Sequence, residues 1–300
     1  MGVMSGDVLR MGLVGAGPWA HKVHGPGIAG HPRTELAAVW ARRPDAAADV
    51  ARIGNATPFT DFDEMLRHVD AVTFAVPPAV QAPLAARAAA AGKHLVLEKP
   101  VAPSADEAAA LVDAVEKSGV TTIMMLTFRY APTTRQWLDE VHRVDDWDGG
   151  MARWFSGTLL EAKYATSQWR HDGGALADIG PHVFDLLDAA LGPVLDVEQA
   201  RLTEHGVWHV MLTHENGRVS TATLSMHTPA QPAVTDFVVH GPGGLLAFDA
   251  SGDPTERYAV LLDDFVRLVD SETAEHQLDV RRGLHLQRLL GRVTDQLAGG

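Results

Sequence analysis

Short apolar runs alternate with helical periodicities along the first 127 residues. Met11–Val14, Leu36–Trp40, Ala71–Val76, His94–Leu97 and Thr121–Leu126 are each too short for a helix and almost wholly apolar, as strands covered on both faces are. Between them Asp45–Ile53, Asp61–His68, Val80–Ala91 and Ser104–Lys117 read as helices, the Ala-rich Leu84–Ala91 included. Ser104 and Glu107 stand at capping-box spacing, each able to satisfy the other's free main-chain amide. Gly92 and Gly119 fall just past two helices, where a left-handed residue closes the last turn. The alternation predicts a doubly wound parallel sheet, an α/β fold.

Beyond residue 127 the pattern changes. Val207–His214, Val219–His227 and Ala233–His240 alternate polar and apolar positions like longer strands, and Leu245–Ala250 adds a short one. Glu215-Asn216-Gly217-Arg218 is a hairpin turn, because Asn and Gly tolerate positive φ, and Gly241–Gly244 is a second turn. One helix, Ala177–Leu191, precedes these strands, and another, Leu284–Leu297, closes the chain. The expected division is the doubly wound α/β domain at 1–127 and an α+β domain with a mostly antiparallel sheet at 128–300.

Composition narrows the partners. With 25 Lys+Arg against 38 Asp+Glu the formal net charge is −13, which repels nucleic acid and anionic membranes, and no run of four basic residues overrides it. A chain without cysteine has no disulfide, thiolate metal site or cysteine nucleophile. MGVMSGDVLRMG has no cationic region followed by an apolar one, and no apolar stretch reaches the roughly 18 residues of a membrane span. A cytoplasmic protein with no membrane partner is the expectation.

The candidate chemistry begins where the first strand ends, at Gly15-Ala16-Gly17-Pro18-Trp19-Ala20. Gly15 allows the tight turn, Gly17 lets the backbone approach a pyrophosphate, and Ala20 lets the helix sit close to the strand. Amides at the start of the helix then face the phosphates. An Asp or Glu at the end of the second strand would mark an NAD site; here the strand ends in Arg42 and Arg43, while Glu35 lies at its other end. Two guanidiniums favour a 2′-phosphate, hence NADP over NAD, unless both simply face solvent. Pro77-Pro78 and Glu98-Lys99-Pro100 close the third and fourth apolar runs at the edge where ligands bind in open α/β sheets. Partial burial would suit Lys99 to proton transfer; a solvent-facing lysine is the plainer reading, and a cis bond before Pro100 would aim the side chain. Further along, Asp178, His182 and Asp185 share one helical face, with Pro181 fixing the helix start near Ala177–Asp178. That stripe suits a histidine base oriented by a carboxylate, or else a capping Asp and a core His; zinc is disfavoured for want of an HExxH-type pair. Trp169 and Arg170 could line a pocket or order a loop.

Read together, GAGPWA, PPAVQ, AGKHLVLEKP, FRYAP and GGALADIGPHVFD resemble the Gfo/Idh/MocA oxidoreductases. The resemblance covers nearly the whole chain and is densest over residues 11–192. It implies a Rossmann domain followed by a domain whose open sheet packs against a second copy, in a homodimer or homotetramer. It also implies a catalytic lysine at Lys99, an active-site aspartate at Asp178 and a catalytic histidine at His182, with Arg129, Tyr130, Trp169 and Arg170 toward the substrate. The implied activity is hydride transfer between NAD(P) and a hydroxyl or ketone carbon of a sugar, polyol or related small molecule, with no metal. A non-catalytic dinucleotide sensor and an NAD-using glycoside hydrolase are the alternatives. Two departures from the family pattern are Ala20 for the third glycine, and Gln81 where a histidine often follows the proline pair, which suggests an altered contact near nicotinamide or substrate. The chain is also shorter than many relatives, which puts the substrate pocket, the dimer sheet, or both in question.

Overall fold

The computed structural model of the chain describes residues 8–161, 167–250 and 252–298; residues 1–7, part of the leader argument, lie outside them. The first sheet contains β1 (Leu9–Val14), β2 (Thr34–Trp40), β3 (Thr57–Phe59), β4 (Ala71–Phe74), β5 (His94–Leu97) and β6 (Thr122–Met124). Their order is β3-β2-β1-β4-β5-β6, with every pairing parallel. The direction of winding reverses between β1 and β4, the kind of switch point beyond which open α/β sheets bind ligands at the carboxyl ends of their strands. Five of the strands were expected. The sixth, β3, is three residues at the sheet edge containing Pro58, too short and too exposed to leave an apolar signature.

Helices Pro44–Ala51, Phe62–Leu66, Pro78–Ala90 and Ala105–Ser118 occupy the four expected stretches. Gly92 and Gly119 both have positive φ. The capping box forms by half: the Ser104 hydroxyl accepts from the Glu107 amide at 3.2 Å but donates its proton to the Glu107 carboxylate at 2.8 Å.

The chain divides into two compact units, Met1–Thr127 with Asp253–His285, and Phe128–Gly252 with Leu286–Gly300. The sequence reading made one cut, after residue 127, and left out the return of Asp253–His285 to the first unit. Helix Pro254–Asp270 explains that return. It buries Tyr258, Leu261, Leu262, Phe265, Val266 and Val269, a helical stripe that needs an apolar surface to cover it. Asp253 caps it by accepting from the Thr255 amide at 2.8 Å.

The second unit holds β7 (Gly149–Phe155), β8 (Val194–Leu202), β9 (Trp208–His214), β10 (Val219–Ser225), β11 (Val234–Gly241) and β12 (Gly244–Asp249) in the order β12-β11-β7-β10-β9-β8. Only the β7–β10 pairing is parallel. The expected turn carries β9 into β10, with Gly217 at φ +78°. Alternate residues divide the sheet into a buried face, with Ala152, Val210, Leu212, Ala222, Leu224, Phe237 and Val239, and an open face where Met151, Met211 and Val219 are exposed. Two strands escaped the sequence reading. β7 begins with two glycines, and β8 carries two register irregularities that break its alternation. Helices Pro132–His142, Gln168–Asp178 and Pro254–Asp270 were also missed, and the last helix, Val280–Ala298, begins before the expected Leu284.

One ion pair ties the start of β1 to the residue preceding β4. Arg10 donates to the Asp70 carboxylate from Nε at 3.0 Å, from Nη2 at 2.8 Å and from its main-chain amide at 3.1 Å. Burial pushes the Asp70 carboxyl up, but the Arg10 hydrogen bonds and charge together outweigh it and hold the group below its ordinary value. A carboxyl depressed in the folded state contributes stability above its unfolded pKa of about 3.9 and loses it as pH falls through the folded value. Asp70→Asn is therefore expected to cost about 1 kcal/mol at pH 7 in urea unfolding, kept small by the half-exposed guanidinium. The gap to the parent chain should close below about pH 4. A constant gap over that range would show that the pair adds no pH-dependent stability.

Candidate functional sites

The turn after β1 cannot accommodate a side chain at its first glycine. Gly15 has φ +120°, and a Cβ there would lie 2.4 Å from the Ala75 carbonyl oxygen. Its amide donates to Trp40 O at 2.8 Å, and the Ala75 amide donates to Val14 O at 2.8 Å, so the turn is fastened to the ends of β2 and β4. Gly17 is the opposite case: a Cβ there would meet nothing within 4 Å. A bare backbone facing open space beside a helix start fits a pyrophosphate. The helix runs on from exposed Pro18 and half-buried Trp19, passes through a π-helical turn at Ala20–His24, and continues as Gly25–Gly30. Ala20 is fully buried.

Arg42 and Arg43 follow β2 and are exposed; neither guanidinium has a hydrogen-bond or ion-pair partner among the described residues. Glu35, also exposed, lies near the amino end of that strand. Pro77 is exposed, and Pro78 is the first residue of helix Pro78–Ala90.

Beyond β5, Glu98 is buried, Lys99 is half-buried, and the Lys99–Pro100 bond is cis. The Gln81 amide holds this segment. Its Oε1 accepts from the Glu98 amide at 2.8 Å, and its Nε2 donates to the carbonyls of Glu98 at 2.8 Å, Val101 at 3.0 Å and Pro100 at 3.3 Å. Gln81 has no exposed surface, and its side chain serves the main chain of the lysine turn.

A second set of buried polar groups was not anticipated. His24 has no exposure; its Nε2 lies 2.9 Å from Glu98 Oε1 and its Nδ1 2.9 Å from Thr73 Oγ1. Thr73 Oγ1 is in turn 3.2 Å from the Tyr258 hydroxyl, whose phenol burial pushes up, and the Tyr258 and His24 rings lie 4.8 Å apart. The sequence shows only that Ala20, Val23, His24 and Ile28 form one helical stripe with His24 as its polar member; its partners are distant in sequence and leave no local signal.

In the second unit, the single helix expected over Ala177–Leu191 is two. Gln168–Asp178 ends with the aspartate, kinked at Gly174 (φ +55°), and Gly180–Leu191 begins beyond Ile179. Pro181 has no amide to donate and would clash with a carbonyl one turn earlier, so the helix restarts there. His182 thus stands in the first turn of the second helix and is buried, its ring centroid 5.3 Å from that of Phe128 and 5.9 Å from that of Trp154. Both flanking carboxylates hold arginines. Asp178 accepts from Arg170 Nε at 2.9 Å, and the Arg170 guanidinium lies 4.4 Å over the half-buried Trp169 ring. Asp185 accepts from Arg129 Nη1 at 3.3 Å, and Tyr130 is fully enclosed. No cluster of three or more metal-ligating side chains occurs among the described residues, nor is any of their helices long and apolar enough to cross a membrane.

A parallel sheet in this order, with a glycine turn at its switch point, defines a dinucleotide-binding protein of the Rossmann class. Residues 9–126 match the oxidoreductase family model described as an NAD-binding Rossmann fold, and residues 142–247 match the Gfo/Idh/MocA C-terminal domain. The chain belongs to the Gfo/Idh/MocA oxidoreductase family. It is 32% identical over 200 residues to a dTDP-3,4-didehydro-2,6-dideoxy-α-D-glucose 3-reductase of Streptomyces violaceoruber, covering 65% of this chain and 58% of that one. It is 29% identical over 204 residues to levoglucosan dehydrogenase of Pseudarthrobacter phenanthrenivorans, covering 61% and 51%. The chain thus spans little more than half the length of these curated relatives. Among solved structures, levoglucosan dehydrogenase with NADH and levoglucosan superposes at a TM-score of 0.87 with 18% identity, covering 98% of both chains. GenD2 from gentamicin A biosynthesis, in complex with NAD, superposes at 0.83 with 22% identity, covering 99% of this chain and 96% of that one.

The Gln81 clamp makes a testable claim. Gln81→Leu keeps a similar volume but leaves the Glu98 amide and the segment's carbonyls without their partner. It is expected to lower stability by about 2–4 kcal/mol in urea unfolding. A loss below about 0.5 kcal/mol would show that the clamp is dispensable.

Proposed function

We propose that the protein is an NAD(P)-dependent oxidoreductase acting on a hydroxyl or ketone carbon of a sugar, polyol or related small molecule. The observation carrying this reading is the Gly15–Ala20 turn at the carboxyl end of β1, with Glu98 and Lys99 following β5 at the same edge of the sheet. The names of the sugar reductase and dehydrogenase relatives support the substrate class. Gly17 and the helix start at Pro18 would hold the pyrophosphate, with Trp19 and Ala20 in the same turn and Pro77-Pro78 bordering the nicotinamide. The unpartnered guanidiniums of Arg42 and Arg43 would grip a 2′-phosphate, which favours NADP. When bound, the nicotinamide supplies the carbon that takes or gives the hydride.

The protein's own groups handle the proton and the charge. Oxidation of an alcohol removes the hydroxyl proton as the hydride leaves, and His182 takes it, because an imidazole titrates near working pH. Lys99 is assigned the stabilisation of alkoxide character on a substrate oxygen. Asp178 fixes the acid–base set while holding Arg170, and Arg170, Trp169 and Arg129 shape the substrate side, whereas the fully enclosed Tyr130 can serve it only through packing. The open face of the second sheet, with Met151, Met211 and Val219 exposed, is the surface for a homodimer or homotetramer.

Absorbance at 340 nm against a sugar and polyol panel tests the reading: net cofactor reduction supports it. Hydrolysis without net reduction marks a glycoside hydrolase, and no reaction marks a sensor. His182→Ala is expected to lower turnover by about two orders of magnitude or more with cofactor affinity nearly intact; unchanged turnover removes His182 from the mechanism. Replacing Arg42 and Arg43 with alanine should weaken NADPH far more than NADH in fluorescence titrations. Equal losses would show that these arginines do not read the 2′-phosphate.

A further inference from the structure

With Glu98 as a carboxylate and His24 as a neutral ring, the buried groups around His24 fit one arrangement of hydrogens. Glu98 Oε2 accepts from the Lys99 amide at 3.2 Å, and Oε1 faces His24 Nε2 at 2.9 Å, so the imidazole donates there. A neutral ring protonated at Nε2 presents a lone pair at Nδ1, which the Thr73 hydroxyl, 2.9 Å away, can fill. The Thr73 oxygen then accepts from the Tyr258 hydroxyl at 3.2 Å. Every hydrogen in this order is used once. The opposite tautomer would set a lone pair against a carboxylate oxygen at 2.9 Å in a site where His24 has no solvent exposure. The four groups come from the π-helical turn after the glycine loop, from β4, from the end of β5 and from helix Pro254–Asp270. One imidazole therefore joins the nucleotide-loop helix to the lysine turn.

We infer that His24 is a positioning residue. Held as the Nε2–H tautomer by Thr73, it fixes the Glu98 carboxylate, which in turn orients the main chain of Lys99. The inference rests on the oxidoreductase reading only for the reaction that is slowed when His24 is lost. The geometry of a lysine that acts on a substrate oxygen must hold within a fraction of an ångström, so a free Glu98 costs turnover rather than binding.

The test has a spectroscopic and a kinetic arm. In the full chain with 15N-labelled histidine, the His24 ring resonances, assigned by their loss in His24→Gln, should show the Nε2–H form at pH 7.5. An Nδ1–H or doubly protonated ring overturns the inference. With myo-inositol, D-glucose and levoglucosan as probe substrates, His24→Leu should lower kcat by about ten- to a hundredfold while KM and the NADPH dissociation constant stay within about twofold. His24→Gln, which keeps a donor toward Glu98, should recover kcat to within about threefold of the parent. Parallel losses of kcat and NADPH binding, or no recovery by Gln, would mark a packing role and overturn the inference. Glu98→Gln is nearly isosteric and serves if His24→Leu does not fold: paired with His24→Gln, its effect should be less than additive, and additive effects refute the coupling. If none of the probes is turned over, the oxidoreductase reading fails; the ring tautomer and the same double-mutant cycle in urea unfolding then decide the role of His24.

Discussion

At the carboxyl edge of a parallel sheet the chain leaves each strand with main-chain groups that no further strand can pair, and burying them unpaired costs more than most single contacts return. The first unit depends on how that edge is closed. Gly15 closes it at β1 and β4 by bringing backbone against backbone, which requires the absence of a Cβ. Gln81 closes it at β5 with a side-chain amide that stands in for a missing strand, giving and accepting as a peptide group would. His24 and Thr73 close it from within, so that a carboxylate can be kept almost out of water beside the lysine. The same edge is where the candidate chemistry lies, so the groups that complete the fold also place the lysine turn and leave Gly17 bare.

The second unit meets the burial problem with charge pairs. Asp178, at the end of the preceding helix, and Asp185, one turn after His182, flank it in sequence, and both are almost fully buried. Two carboxylates left unpaired in such surroundings would be expensive, and Arg170 and Arg129 offset them. The imidazole packs against the rings of Phe128 and Trp154, so aromatic surface restrains its plane while the nearby arginines balance the local charge.

Much of this was legible from the chain alone, for reasons that differ by element. The parallel strands announced themselves because strands covered on both faces are apolar throughout, and the glycine turn because its residues are required by backbone geometry. β7 and β8 were hidden because one face of their sheet is open and because glycines and irregular register blur the alternation. Helix Pro254–Asp270 carried a clear apolar stripe and an Asp-Pro start, but nothing local says which unit will cover that stripe. Pro181 does mark a helix start, but the expected start near Ala177–Asp178 is too early: the helix begins at Gly180, which leaves Asp178 on the preceding helix instead of on one face with His182 and Asp185. His24 and Gln81 lay out of reach for a deeper reason. A lone histidine in an apolar stripe and a lone glutamine in an alanine-rich helix acquire meaning only from partners distant in sequence, and pairwise contacts of that kind leave no period to read.

Electrostatics shows why a chain of this composition can still hold a polyanionic cofactor. A formal charge of −13 is distributed over the molecule, and at physiological ionic strength each exposed charge is screened within about 8 Å. What a diphosphate meets is therefore the immediate surface: amides at the start of a helix, an open glycine backbone, and exposed arginines after β2. The partial positive charge at the helix start is fixed by the fold and holds the diphosphate whichever dinucleotide carries it. In the reading proposed above, the arginines would add a contact that only a 2′-phosphate can satisfy. Class recognition would then reside in the backbone, which a family shares, and the choice between NAD and NADP in two side chains that one substitution each would remove. Such a division would make the family readable from the glycine turn while leaving the preferred cofactor to side chains outside it.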